Sequence, residues 1–139
     1  MTTEARPRAL TIALPEFFTL GRTRVLSVPS GNVFVAWNRA RAFYRFKELK
    51  RLYCLHILAA QSEERWGAPA DRVEIEVVRR CCRLFDDDNL ISGAKYLRDS
   101  LVRMGIVVDD TPAHVSLVAR QEKAKTGQRG VTVTVREVG

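Results

Sequence analysis

No run of apolar residues in this 139-residue chain approaches the ~18 that a membrane helix needs, so a spanning segment is not expected. The N-terminus carries Glu4 and no apolar stretch long enough for a signal peptide, which makes the cytoplasm the default compartment. Cysteine is scarce, and Cys54, Cys81 and Cys82 are an odd number with two adjacent. Adjacent cysteines on a strand point to opposite faces and rarely bond, so a disulfide framework is not expected. A zinc site from Cys54, His56, Cys81 and Cys82 lacks the usual paired spacings, and buried free thiols are the expected state. No internal repeat is visible, and the length suits one domain that buries a core without covalent staples. Acid is also short: Asp and Glu total 16 against 23 Lys and Arg, a formal net charge of +7.

What is present follows from that imbalance. A basic surface attracts polyanions through counterion release, which puts nucleic acid first among partner classes. The charge is unevenly placed. Between Arg22 and Arg51 the basic residues are Arg22, Arg24, Arg39, Arg41, Arg45, Lys47, Lys50 and Arg51, against one acid, Glu48.

Patterning predicts the elements. Residues 1–8 are polar and read as disordered. Leu10–Leu14 is a short strand stopped by Pro15. Val25–Val28 is another short strand, followed by a turn at Pro29-Ser30-Gly31-Asn32. Arg39 to Glu64 reads as one helix, capped by Asn38, with Ala42, Phe46, Leu49, Leu52, Tyr53, Leu55, His56 and Leu58 on its apolar face. Its polar face carries Arg41, Arg45, Lys47, Lys50 and Arg51, either as a solvated face or as one that tracks phosphates. Arg72–Arg80 alternates, with Val73, Ile75 and Val77 against Glu74, Glu76 and Val78, which is a half-buried strand. Asn89 to Met104 reads as a helix capped by Asp88 or Asp87 and stopped by Gly105. A strand at Ile106–Val108, a turn at Asp109–Pro112 and strands at Val115–Glu122 and Val131–Glu137 complete an α+β domain: a mixed β-sheet with two main α-helices.

Within this basic chain one stretch is acidic: Asp86-Asp87-Asp88-Asn89-Leu90, with Asp109-Asp110 further on. Phosphodiester hydrolysis needs a hard cation to polarise the phosphoryl oxygen and activate water, and Mg²⁺ or Mn²⁺ prefers carboxylate oxygens. If residues 85–88 are extended, Asp86 and Asp88 share a face and converge on one ion while Asp87 points away. On a helix, Asp88, Ser92, Lys95 and Asp99 fall on one stripe, and Lys95 leans back toward the aspartates, where it neutralises charge or orients water. Plainer readings stand beside these. The aspartates can simply cap the helix, and Lys95 can pair with Asp99 at one-turn spacing. An EF-hand loop is poorly supported, since its alternating acids, central Gly and terminal Glu are missing.

The pattern Asp86-x-Asp88-Asn89-Leu90, then Lys95-x-x-x-Asp99-x-Leu101-x-x-x-Gly105-x-x-x-Asp109-Asp110, resembles the signature of the RusA-type Holliday-junction resolvases over about residues 73–121. The resemblance implies a RusA-like fold and a homodimeric, Mg²⁺-dependent endodeoxyribonuclease (Mn²⁺ being the substitute) that cuts four-way junctions or other branched DNA. It implies Asp86, Asp88 and Asp110 as metal-binding catalytic acids, Lys95 as the catalytic lysine, and Asp109, Asp99 and Asn89 as supporting residues. Arg39, Arg41, Arg45, Lys47, Lys50 and Arg51 would hold DNA phosphates without reading sequence. One departure stands out: the family lysine lies one turn after the second aspartate, where this chain has Ser92, and Lys95 comes three residues later. Spacing beyond Lys95 is kept, so the departure reads as an insertion around Ile91-Ser92-Gly93. Two other readings remain open: a DNA-junction-binding protein without catalysis, and a metal-dependent phosphohydrolase for small substrates.

Overall fold

In the computed structural model, which describes residues 7–138, the chain runs β1 (Ala9–Leu14), β2 (Phe17–Leu20), β3 (Thr23–Leu26), α1 (Gly31–Arg39), α2 (Phe43–Glu64), β4 (Val73–Cys81), α3 (Asp87–Gly93), α4 (Lys95–Arg103), β5 (Val115–Lys123) and β6 (Gly130–Glu137). Period-two patterning sets the main sheet, whose strand order is β1-β6-β4-β5. β6 is antiparallel to β1 and β4, and β4 is parallel to β5, so the sheet is mixed. Leu10, Ile12 and Leu14, Val73, Ile75 and Val77, and Val131, Val133 and Val135 all turn to one face and are buried. Leu49, Tyr53 and Ile57 of α2 and Leu97 and Leu101 of α4 complete that core. On the other face Thr11, Glu74, Ser116 and Val118 are exposed, and Arg120 bridges Glu76 and Glu122. The fold is a single α+β domain.

A parallel strand pair requires a long crossover, and α3 with α4 supplies it between β4 and β5. This crossover carries the acidic stretch. Gly105 ends α4 at φ 75°, with Gly105 N–H donating to Val102 O and Ile106 N–H to Leu101 O, the paired bonds of a Schellman stop.

Several elements differ from the sequence reading. Pro29–Asn32 is not a free turn: Ser30 is the N-cap of α1, and Gly31 and Asn32 are its first residues. The helix expected from Arg39 is two helices. α1 ends at Arg39, Arg41 takes a left-handed conformation (φ 55°), and α2 starts after Ala42, so Asn38 is in the last turn of α1 and caps nothing. Ala42 N–H donates to Trp37 O and Arg41 N–H to Asn38 O, a Schellman stop with arginine in the position glycine usually takes. Leu55 and Leu58 of α2 are half exposed; the buried line is Leu49, Tyr53 and Ile57, spaced by one turn. The expected helix at Asn89–Met104 is also broken, at Ala94. Ile106–Val108 forms only an isolated bridge, Val107 to Ala70. The strand expected at Val25–Val28 is instead Thr23–Leu26, and it pairs in a hairpin with Phe17–Leu20, for which the patterning predicts no strand. Residues 1–6 lie outside the described residues, whereas Arg8 is anchored by Glu137 and by the carbonyls of Trp66 and Ala68. Of the three free thiols only Cys81 is buried; Cys54 is half-buried and Cys82 exposed.

Candidate active site on the β4–β5 crossover

The acid loop begins where β4 ends. β4's inward parity continues to Arg79, which is buried and stacks its guanidinium 3.7 Å from the Phe85 ring centre. Arg79 Nη1 donates to Gln121 Oε1 (2.9 Å), Arg83 O (3.1 Å) and Cys81 Sγ (3.0 Å). Burial holds the Arg79 pKa below its ordinary value, and the field of the nearby Cys81, Cys82 and Glu16 offsets part of that shift. Gln121 of β5 then grips Phe85 at both backbone groups, accepting from its N–H and donating to its carbonyl, each at 2.8 Å. One side-chain amide thus continues the strand ladder by one residue and fixes the peptide that enters Asp86.

Asp86 is the N-cap of α3: its Oδ1 accepts from Asn89 N–H at 2.9 Å. Asp87 and Asp88 are the first helical residues, so 86–88 is not an extended segment. Two residues on a helix lie about 200° apart around its axis, which removes the shared face expected for Asp86 and Asp88. All three carboxylates are exposed at a helix N-terminus, where the backbone dipole favours negative charge. Ser92 Oγ donates to Asp88 O at 2.6 Å, a back-bond that loosens the last turn of α3 before the break at Ala94.

The second acidic group forms on α4. Burial raises the Asp99 pKa, hydrogen bonding with Asp110 and repulsion by it raise the pKa further, and the charges of Lys95 and Arg98 lower it. Asp99 and Asp110 therefore face each other closely, as a hydrogen bond when one is protonated and as a like-charge contact when both are ionised. Lys95 is one turn before Asp99, with its ammonium 5.6 Å from the Tyr96 ring centre. Asp109 Oδ1 accepts from Asp110 N–H at 2.8 Å, a local bond that shapes the loop. A divalent cation fits this pair on chemical grounds: Mg²⁺ usually takes one or two carboxylates, with water and phosphate oxygens filling the rest.

The structure gathers Lys95, Asp99 and Asp110, and separately Asp86, Asp87 and Asp88. Among the described residues no group of three His, Cys, Asp or Glu side chains comes close enough to hold a metal ion. Topology gives the reason. Asp86 follows the C-terminal end of β4, while Asp110 precedes the N-terminal end of β5, and those strands are parallel and in register from Val73 and Val115. The nine residues of β4 span eight steps of ~3.3 Å, so about 26 Å separates those ends.

The basic residues also divide. Arg39 closes α1, Arg41 is in the connection, and the others are on α2. Lys47, Lys50 and Arg51 line a cavity of about 500 Å³ with Arg103, while Arg45 turns toward the β2–β3 hairpin, its Nη2 3.5 Å from Thr23 Oγ1. Arg51 is paired with Glu48 one turn away. They are thus not one continuous face, because the kink at Arg41 and the 200° between positions 45 and 47 send them apart. Sequence reading missed Arg79, Gln121 and Phe85; strand parity alone places Arg79 on the same face as Val73, Ile75 and Val77.

No protein-family model matches this chain, and no curated protein is significantly similar to it. No helix among the described residues is long and apolar enough to cross a membrane.

Proposed function

We propose that the chain is a metal-dependent endodeoxyribonuclease of the RusA type, acting as a homodimer on four-way or otherwise branched DNA. The observation that carries this reading is the close Asp99–Asp110 carboxylate pair flanked by Lys95 and Arg98 in a chain of net charge +7. A bound Mg²⁺ or Mn²⁺ would supply charge to polarise a phosphoryl oxygen and to acidify a water. In this reading Asp110 and Asp99 hold the cation, and Asp86 and Asp88 are the further acids that the motif assigns. Lys95 neutralises developing charge on the phosphate. Gln121 and Arg79 hold the acid loop in place. Lys47, Lys50, Arg51 and Arg103 bind phosphates by charge. The test is incubation with a labelled four-way junction in Mg²⁺. Cleavage that disappears in Asp88→Asn and Asp110→Asn supports the reading; an uncut junction, or undiminished cleavage by both variants, overturns it.

A second reading, a junction-binding protein without catalysis, is favoured by the lack of any three-acid cluster among the described residues. It requires salt-sensitive junction binding with no nicks in either Mg²⁺ or Mn²⁺, so turnover with either ion excludes it.

A further inference from the structure

The β2–β3 hairpin, α1 and the acid loop line an open pocket of about 370 Å³. Its size falls within the ~300–1,000 Å³ of small-molecule sites. Phe17, Trp37 and Phe85 give it aromatic walls, Ser30 brings the start of α1 to its edge, and Arg24 and Arg45 supply its charge. Arg24 stacks 3.7 Å from the centre of the Phe17 ring. Among the described residues neither arginine has a carboxylate partner within 4 Å, although Arg8, Arg51, Arg80, Arg120 and Arg129 do. An apolar pocket rimmed by guanidinium groups without carboxylate partners complements a molecule with a flat ring at one end and a phosphate at the other.

Its position narrows the choice. Phe85, one wall of the pocket, is bonded directly to Asp86 and is held by Gln121 and Arg79, so the pocket and the acid loop share a rigid peptide. On the opposite wall α1 is docked on α3 without room for a side chain: a Cβ on Gly93 would lie 1.9 Å from Pro29 O. The pocket therefore has a fixed relation to the acids. We infer that it receives one unpaired nucleotide of the DNA substrate, the base lying among Phe17, Trp37 and Phe85 and its phosphate between Arg24 and Arg45. Stacking on aromatic and guanidinium faces accepts any base, which suits selection of DNA whose pairing is opened at the branch point, without sequence reading. The inference rests on the nuclease reading and names what that site recognises.

The experiment is binding in EDTA, which prevents cleavage. One DNA is a duplex with a single unpaired nucleotide carrying 2-aminopurine, and the other is the fully paired duplex of the same length. Wild type is expected to prefer the first and to change its 2-aminopurine emission. Arg24→Ala and Arg45→Ala are each expected to weaken binding of that DNA by about tenfold, and of the paired duplex by less than about twofold. Lys47→Ala, at a phosphate contact away from the pocket, is expected to weaken both alike. Arg24 is on the surface and Arg45 only half-buried, and melting curves of both variants check their fold. Equal weakening of both DNAs by the arginine variants, or tight binding with unchanged 2-aminopurine emission, overturns the pocket and leaves the nuclease reading standing. Failure of wild type to bind either DNA overturns both.

Discussion

Asp86 is assigned two jobs that a pair of substitutions can separate. As the N-cap of α3 it needs only an acceptor oxygen within reach of Asn89 N–H, which it provides at 2.9 Å. As a catalytic acid it needs its charge. Asparagine keeps the acceptor and removes the charge; alanine removes both. Loss of a cap costs about 1 kcal/mol, whereas Asp→Asn at a cap costs little. Removing the charge forfeits a few tenths of a kcal/mol of favourable interaction with the helix dipole, and relief of repulsion from Asp87 and Asp88 offsets part of it. Unfolding entropy of ~2.1 cal/mol/K per residue over 139 residues converts 1 kcal/mol into a melting shift of about 3 °C.

Asp86→Asn is therefore expected to melt within about 1 °C of wild type, and Asp86→Ala about 3 °C lower. Cleavage of a four-way junction, measured at a temperature where all three proteins are folded, is expected to fall about 10- to 100-fold in both. If Asp86→Asn cuts at the wild-type rate, Asp86 is a cap and nothing more, and the motif's first position carries no chemistry in this chain. If Asp86→Asn melts as low as Asp86→Ala, the hydrogen bond to Asn89 is not what starts α3.

Other outcomes follow from the same geometry. Gln121→Leu leaves Phe85 N–H, Phe85 O and one Arg79 bond without partners, which should cost about 2 kcal/mol in chemical denaturation and slow cleavage together; an unchanged midpoint refutes the clamp. The Asp99 pKa is raised in the folded chain, so its contribution to stability is present below its unfolded pKa and is lost as pH rises through the folded value. Asp99→Asn should therefore melt higher than wild type in EDTA at neutral pH, by less than about 1 kcal/mol after solvent screening, and should lose stabilisation by Mg²⁺. A melting point in EDTA that is lower than that of wild type refutes the repulsion between Asp99 and Asp110. Gly93→Ala would drive a methyl into Pro29 O and should cost about 1–3 kcal/mol; a cost under about 0.5 kcal/mol shows that α1 is free to shift.

Strands were the legible part of this fold. β4, β5 and β6 follow from parity, since a period of two leaves each residue one choice of face, and Val131–Val135 could be read directly. The helix boundaries were less legible because their usual markers are missing. Arg41 and Arg65 occupy left-handed positions that glycine or asparagine normally signals, so the break between α1 and α2 left no mark in the sequence. The hairpin and α1 lay hidden in Pro15–Asn38 for a different reason: four-residue strands and a nine-residue helix are too short to establish a period. Of the site, the residue types were visible but their grouping was not. Which carboxylates meet depends on where the crossover returns to the sheet, and that depends on the Ala94 break and the Gly105 stop together.

The Ala94 break is what reassigns Lys95. On one unbroken helix Lys95 belongs to the stripe of Asp88 and Ser92, and its natural role is to serve the acid loop. Ser92 instead spends its hydroxyl on Asp88 O, Gly93 gives up a side chain so that Pro29 can approach, and the helix restarts at Lys95. Lys95 is then in register with Asp99, and through it with Asp110. The three residues that read as an insertion thus have a structural use: they dock α1, and with it the aromatic pocket, against the first turn of the crossover. The cost falls on the acids, which are left as two groups rather than one. In the nuclease reading proposed above, the DNA must reach across both, with the unpaired nucleotide at the Phe85 end and the Asp99–Asp110 pair at the other. Substrate shape, rather than any single cluster of ligands, is then the condition for cleavage under that proposal.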